Sequence, residues 1–99
     1  MPTELHIYTI NRGALQEFAT EWRDHIKPLR QKFGFRVDGG WTVAATNQFV
    51  WFLSHDDAAN WQANNQAFYQ SDERRRLSPD PARLIARVEQ YFVESVTEE

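Results

Sequence analysis

The sequence predicts an α+β fold of the ferredoxin-like kind, βαββαβ, in which a four-stranded antiparallel sheet carries two helices on one face. Three observations lead there. Segments with the two-residue alternation of strands and segments with the three-to-four-residue apolar spacing of helices follow one another in the order strand, helix, strand, strand, helix, strand. The two middle strands are joined by a connection short enough to make them a hairpin. Right-handed crossovers then bring both helices to the same side of the sheet.

The first strand, Glu4 to Ile10, reads E-L-H-I-Y-T-I, with Leu5, Ile7 and Thr9 on one side and His6, Tyr8 and Ile10 on the other. Asn11, Arg12 and Gly13 close it as a turn. A helix follows from about Ala14 to Phe33, its apolar stripe formed by Leu15, Phe18, Ala19, Trp22, Ile26, Leu29 and Phe33. Acids come early in it and bases late, which suits the helix dipole, and Gly34 ends it. Pro28 removes the N–H that would bond the carbonyl of Asp24, so the helix is expected to kink or restart there.

Phe35 to Ala45 and Gln48 to Ser54 form the hairpin. A tight turn at Thr46 and Asn47 puts Val43 opposite Val50 and Trp41 opposite Phe52 on one face, leaving Thr42, Ala44, Phe49, Trp51 and Leu53 on the other. Gly39 and Gly40 mark a bulge or a close backbone approach. Ser54, with Asp57 three residues on, has the spacing of a helix cap, and a helix is expected from about Asp57 to Tyr69 with Ala58, Trp61, Asn65 and Phe68 inward. Ser71 caps a further short turn that ends in Arg74, Arg75 and Arg76, and Pro79 and Pro81 stop it. The final strand runs from about Arg83 to Val93.

At 99 residues the chain has room for one core, so a single domain over residues 1–99 is expected. It is 41% apolar and 25% charged, the balance of a folded chain. Eleven Lys and Arg against fourteen Asp and Glu leave a net charge of −3, the wrong sign for gripping phosphates, so nucleic acid is not expected as a partner. Absent cysteine excludes disulfides and thiolate metal sites. The N-terminus lacks the pattern of a signal peptide, and no stretch approaches the ~18 apolar residues of a membrane span, which reads as a cytoplasmic chain with no membrane partner.

Two helices cover one face of such a sheet, yet the strands are apolar or aromatic on both sides. Left bare, the second face would be an apolar patch larger than a monomer usually exposes. A second copy of the same sheet is the simplest cover, because a two-fold interface needs only one self-complementary surface. Two four-stranded sheets face to face make a dimeric α/β barrel with room for a ligand wherever side chains leave the centre open.

The opening strand and its N-R-G turn resemble the start of NIPSNAP domains, a branch of the dimeric α+β barrel superfamily. The likeness continues through W-R-D-H-I-K-P-L-R (Trp22 to Arg30), G-F-R-V-D-G-G-W-T-V (Gly34 to Val43) and T-N-Q-F-V-W-F-L (Thr46 to Leu53), then S-D-E-R-R-R-L-S-P-D-P (Ser71 to Pro81) and R-V-E-Q-Y-F-V-E (Arg87 to Glu94). The resemblance implies a ferredoxin-like homodimer and no particular reaction, since the family has no settled catalytic residues. The wider superfamily includes cofactor-free monooxygenases, haem-degrading proteins and small-molecule isomerases. No cofactor is expected, with haem the one the superfamily leaves open.

Candidate chemistry is sparse. His6, His25 and His55 have no metal-ligand spacing, so no metal is expected. If Leu5 and Ile7 face the helices, His6 and Tyr8 face the dimer interior near Arg87, Glu89 and Tyr91 of the last strand, where a base, a phenol and an ion pair would bind or deprotonate an acidic small molecule. The alternative there is a satisfied interfacial network with Arg87 and Glu89 pairing across strands. His25 is a candidate base at the helix edge or a donor to a local carbonyl, and a histidine here is also part of the family likeness. His55, beside a cap, reads as surface structure. Trp22 and Trp61 are expected between helix and sheet, leaving Trp41 or Trp51 to line a pocket for an aromatic ligand. The Arg74–Arg76 run reads as a solvated helix end or a grip for an anion. Phosphate loops, a nucleophile elbow and a catalytic cysteine are absent.

The sequence thus supports a homodimer that binds an apolar or aromatic small molecule in the barrel cavity. Alternatives are a cofactor-free monooxygenase-like enzyme and a structural module without a ligand. An RNA-recognition module, which shares the topology, lacks the basic Gly-aromatic signature between Gln48 and Ser54 and ranks last.

Overall fold

A computed structural model describes residues 1–97. The sheet is built from β1 (Thr3–Ile10), β2 (Arg36–Val43), β3 (Gln48–Ser54) and β4 (Ile85–Val93), in the spatial order β2-β3-β1-β4 with every neighbouring pair antiparallel. Helices α1 (Leu15–Glu21), α2 (Lys27–Lys32), α3 (Trp61–Gln70) and the one-turn α4 (Asp72–Arg75) connect them. This is the ferredoxin-like α+β arrangement expected from the order of elements. Among the described residues no helix is long and apolar enough to cross a membrane.

The helix-covered face of the sheet is the one that carries His6, Tyr8 and Ile10, all buried, together with Phe49, Trp51 and Leu53. Strand pairing explains why: His6 lies opposite Trp51 and Tyr8 opposite Phe49, so the large aromatics of β3 take the β1 polar pair inward with them. Leu5 and Ile7, opposite Phe52 and Val50, are half-buried on the other face. The expected orientation of β1 is therefore reversed. In β4, Gln90 pairs with His6 and Val88 with Tyr8, so Arg87, Glu89 and Tyr91 are on the far side of the sheet from the His6–Tyr8 pair. Arg87 and Glu89 belong to one strand, with Nε and Oε1 3.9 Å apart, and the Tyr91 hydroxyl donates to Glu89 at 3.0 Å.

The hairpin turn is longer than a two-residue one. A 3₁₀ turn over Ala44–Thr46 leads into Asn47, which has a left-handed φ of 56°. The register is accordingly shifted by two from the tight-turn expectation, with Trp41 opposite Val50 and Val43 opposite Gln48, but the faces are unchanged. Gly39 and Gly40 fulfil both meanings assigned to them. The pairing skips between Val37 and Gly40, a bulge, and a Cβ on Gly40 would come within 2.5 Å of Phe49 and 2.8 Å of the Trp22 ring.

Pro28 has the predicted effect through a π turn over Trp22–Ile26, in which the N–H of Lys27 bonds the carbonyl of Trp22, five residues back. This wide turn re-phases the helix. Leu15, Phe18, Trp22 and Ile26 are buried as the stripe predicts, but the next buried residue is Arg30, while Leu29 is only half-buried. A 3₁₀ turn over Ala58–Asn60 leads into α3 and is capped by Asp57, whose carboxylate accepts from the N–H of Ala59 at 2.9 Å; Ser54 does not cap but ends β3 and hydrogen-bonds Thr3 at 2.9 Å. Ser71 caps α4 as expected, accepting from Arg74 N–H at 3.1 Å.

Candidate functional site

The helix-covered face brings together a polar group that a core of this size would otherwise exclude. His6 is 1% exposed, its ring 4.3 Å from the Trp51 ring by centroid. Its Nδ1 is 3.1 Å from the Tyr8 hydroxyl and 3.4 Å from the Gln90 side-chain amide, so Nδ1 is assigned as acceptor and the proton is placed on Nε2. That nitrogen is 2.9 Å from Glu4 Oε1 but off the line of an N–H···O bond, which leaves it without a hydrogen-bond acceptor. Burial, with the positive charge of Arg30 added, pushes the His6 imidazole down to about 3, so it is neutral near neutral pH. Burial pushes the Glu4 carboxyl up, against a smaller pull down from Arg30. The Tyr8 phenol is pushed up by burial and stays protonated.

Arg30 is the second part of the site, delivered by the π turn. It is 2% exposed, and its guanidinium donates to Asn65 Oδ1 at 2.7 Å and to the Tyr69 hydroxyl at 3.2 Å. Its Cζ lies over the Phe68 ring at 3.9 Å and within 5.0 and 5.1 Å of the Phe35 and Tyr69 ring centroids. Asn65, a residue expected to face inward, thus reaches a partner, whereas Arg30, expected only as one of the late bases that suit the helix dipole, is part of the site. Nε of Arg30 and the indole nitrogen of Trp22 have no acceptor, and the Trp51 indole has only the Tyr8 hydroxyl nearby. Burial pushes the Arg30 guanidinium below its ordinary value, and it remains a cation.

Two openings share Arg30 and Tyr69 in their walls. An inner cavity of about 40 Å³ lies between sheet and helices and is bounded by Tyr8, Trp22, Arg30, Trp51, Tyr69 and Arg74 among others. This exceeds the roughly 10–15 Å³ that holds one water. An outer cleft of about 260 Å³ is lined by Glu4, His6, Arg30, Trp61, Asn65, Tyr69, Gln90 and Phe92, among others. A wider groove of about 840 Å³ runs past the N-terminal residues, Phe52 and Val93, and no buried polar side chain lines it.

The remaining sequence candidates lie elsewhere. His25 is exposed beside Pro28 and Leu29, on the outer side of the helices and away from the cleft. Trp41 is half-exposed on the open face, edge-to-face with Phe52 at 6.0 Å, whereas Trp51 is buried on the opposite face, so the two share no pocket. Trp22 packs between helix and sheet as expected, and half-buried Trp61 stacks edge-on to Phe35 at 5.1 Å. Arg87, Glu89 and Tyr91 take no part in the cleft. His55, read as surface, is buried: its Nδ1 accepts from the N–H of Asp57 at 2.9 Å and its Nε2 is 2.7 Å from the Asn64 amide, which ties the end of β3 to α3. Arg74 of the basic run pairs with Asp80 at 3.1 Å and borders the inner cavity. Among the described residues no cluster of three or more His, Asp or Glu could hold a metal ion.

With this geometry in view, comparison with known proteins is specific about family and fold. The NIPSNAP family model matches residues 3–97. The chain is similar to a NIPSNAP domain protein from Burkholderia xenovorans, with 20% identity, a TM-score of 0.84 and 98% of this chain and 96% of that one covered. It is also similar to a NIPSNAP family protein from Agrobacterium tumefaciens, with 14% identity, a TM-score of 0.85 and 97% and 93% covered. A structure described as an antibiotic biosynthesis monooxygenase shares the fold at 14% identity, with a TM-score of 0.69 and 97% and 99% covered. Among curated proteins no sequence matches the chain.

Proposed function

The chain belongs to the NIPSNAP family, and we propose that it is a homodimeric protein that binds a small molecule in the cleft between sheet and helices. The observation that carries the reading is Arg30: a buried guanidinium, held by neutral partners, that lines both an inner cavity and an outer cleft. A buried charge that touches no counter-charge costs several kcal/mol, and retaining it on the wall of a cleft suits binding better than packing. A thermal-shift and calorimetric screen with single-ring aromatic compounds tests this. Binding should appear in the parent chain and disappear in Gln90→Trp, which fills the outer cleft from β4. Ligands that bind both proteins equally would place the site elsewhere.

The dimer is the second part of the proposal, supported by the open face of the sheet. Leu5, Ile7, Val50, Phe52 and Trp41 make its centre, with Tyr91 and Val93 beside them, and Trp41, Tyr91 and Val93 are well exposed. A second copy of that face would cover them. Sedimentation should give a dimer at micromolar concentration and a protomer for Trp41→Glu.

One observation favours a further reading, as an enzyme that ionises its ligand. Glu4, whose carboxyl is pushed up by burial, lines the same cleft as Arg30. A ligand hydroxyl there would pass its proton to the Glu4 carboxylate, leaving a phenolate bound beside the Arg30 guanidinium. Bound 4-nitrophenol would then absorb as the anion in the parent chain and as the neutral phenol in Glu4→Gln; neutral phenol in both would dismiss the transfer.

A further inference from the structure

We propose that the molecule this cleft takes is a single-ring carboxylic acid bound as its carboxylate, with the charged end at Arg30 and the ring toward Trp61 and Phe92. The inference rests on the cleft being the ligand site, and it adds the chemical class.

The first argument is charge. Arg30 donates only to an amide oxygen and a phenol and makes no ion pair among the described residues; Glu4, in the same cleft, acts on it only at a distance. An anion arriving there gains a charge-assisted contact that the protein itself does not supply.

The second argument is the count of donors against acceptors. Trp22 Nε1 and Arg30 Nε are buried and have no acceptor, while Trp51 Nε1 has only the Tyr8 hydroxyl, and His6 Nε2 only a misaligned Glu4 oxygen, within reach. An indole N–H can only donate, as can a guanidinium, and neutral His6 with Nδ1 already accepting has only a donor left. All four belong to side chains that line one or other of the two openings, and Arg30 lines both. A hydrocarbon or a donor-rich ligand would leave these groups unanswered. A carboxylate brings two oxygens with free lone pairs.

Size and shape supply the third. The outer cleft, at about 260 Å³, falls below the roughly 300–1,000 Å³ of pockets for drug-sized ligands, which limits the ligand to one ring. Its apolar lining is aromatic, with Trp61 and Phe92 edge-on to each other at 5.2 Å. Glu4 lies in the same cleft beside His6. Its charge repels an anion placed against it, which directs the carboxylate toward Arg30 and the ring past Glu4.

Calorimetry with benzoate and with benzamide, its uncharged counterpart, tests the class. In the parent chain benzoate should bind at least tenfold more tightly than benzamide. Arg30→Met should erase that preference, Arg30→Lys should keep part of it, and Trp51→Phe should weaken benzoate several-fold with its thermal melt still cooperative. The tryptophan variant serves if Arg30→Met fails to fold. Equal binding of both probes, abolished by Gln90→Trp, would overturn the carboxylate class and leave the cleft as a site for neutral ligands. No binding of either would remove the class and the site together. Benzoate binding that ignores both Arg30→Met and Trp51→Phe would show an anion held elsewhere and overturn the proposal.

Discussion

Acidification tests the burial of His6 more sharply than any substitution. In the folded chain the imidazole is held neutral, with its value lowered from 6.5 to about 3 by burial and then by Arg30. The unfolded chain protonates it at the ordinary value. The contribution to stability is therefore fully present above pH 6.5 and is lost as pH falls toward 3. A shift of this size corresponds to about 5 kcal/mol in the limit, and to about 2 kcal/mol by pH 5, at about 1.4 kcal/mol for each unit. For a chain of this length, with a urea slope of about 1–2 kcal/mol per molar, the denaturation midpoint should fall by about 1–2 M between pH 7.5 and pH 5. Glu4 acts in the opposite sense, since its raised carboxyl favours the folded state as protons are added, but it is common to the parent chain and a variant. Urea melts of the parent chain and His6→Gln over this range isolate the term. The parent should lose about 2 kcal/mol more than His6→Gln. Equal slopes, or a His6 ring that titrates near 6.5 by NMR in the folded chain, would refute the burial argument.

Three further outcomes follow from the packing. Gly40→Ala drives a Cβ into Phe49 and the Trp22 ring and should cost about 1–3 kcal/mol, read as a lowered thermal midpoint; an unchanged midpoint would mean the bulge is loose. Asp57→Ala removes the carboxylate that accepts from Ala59 and should cost about 1 kcal/mol in urea melts. Arg30→Met removes a buried charge that has no carboxylate partner, so chemical denaturation should show stability unchanged or raised by about 1–4 kcal/mol, even as binding is lost. A strongly destabilised Arg30→Met would instead make Arg30 a structural residue.

The architecture was legible because strand and helix periods are clean along the chain, and the two turns between them are marked by Gly13 and Asn47. Which side of β1 faces the helices was not legible, because E-L-H-I-Y-T-I offers a hydrophobic or aromatic row either way. The choice is made by pairing with Phe49 and Trp51 on β3, a non-local fact. Arg30 was hidden by assuming a uniform α-helical period past Pro28, which points Leu29 inward. The signal that could have found it is the run Phe18, Trp22, Ile26, Arg30, spaced by four throughout, which is wider than the α-helical repeat and suits a π turn. His55 was misplaced for a similar reason: a histidine next to a cap looks exposed until α3 folds back over it and supplies Asn64.

The most direct test of the helix-side site uses the indole N–H resonances of the four tryptophans, assigned by Trp→Phe variants and followed by NMR during titration with benzoate. Trp22, whose indole nitrogen lacks an acceptor, and Trp51 border the inner cavity, whereas Trp41 is on the opposite face of the sheet. The Trp22 and Trp51 signals should move together to saturation while Trp41 stays in place. Movement of Trp41 with Trp22 and Trp51 unmoved would put the ligand on the open face and contradict the site described above.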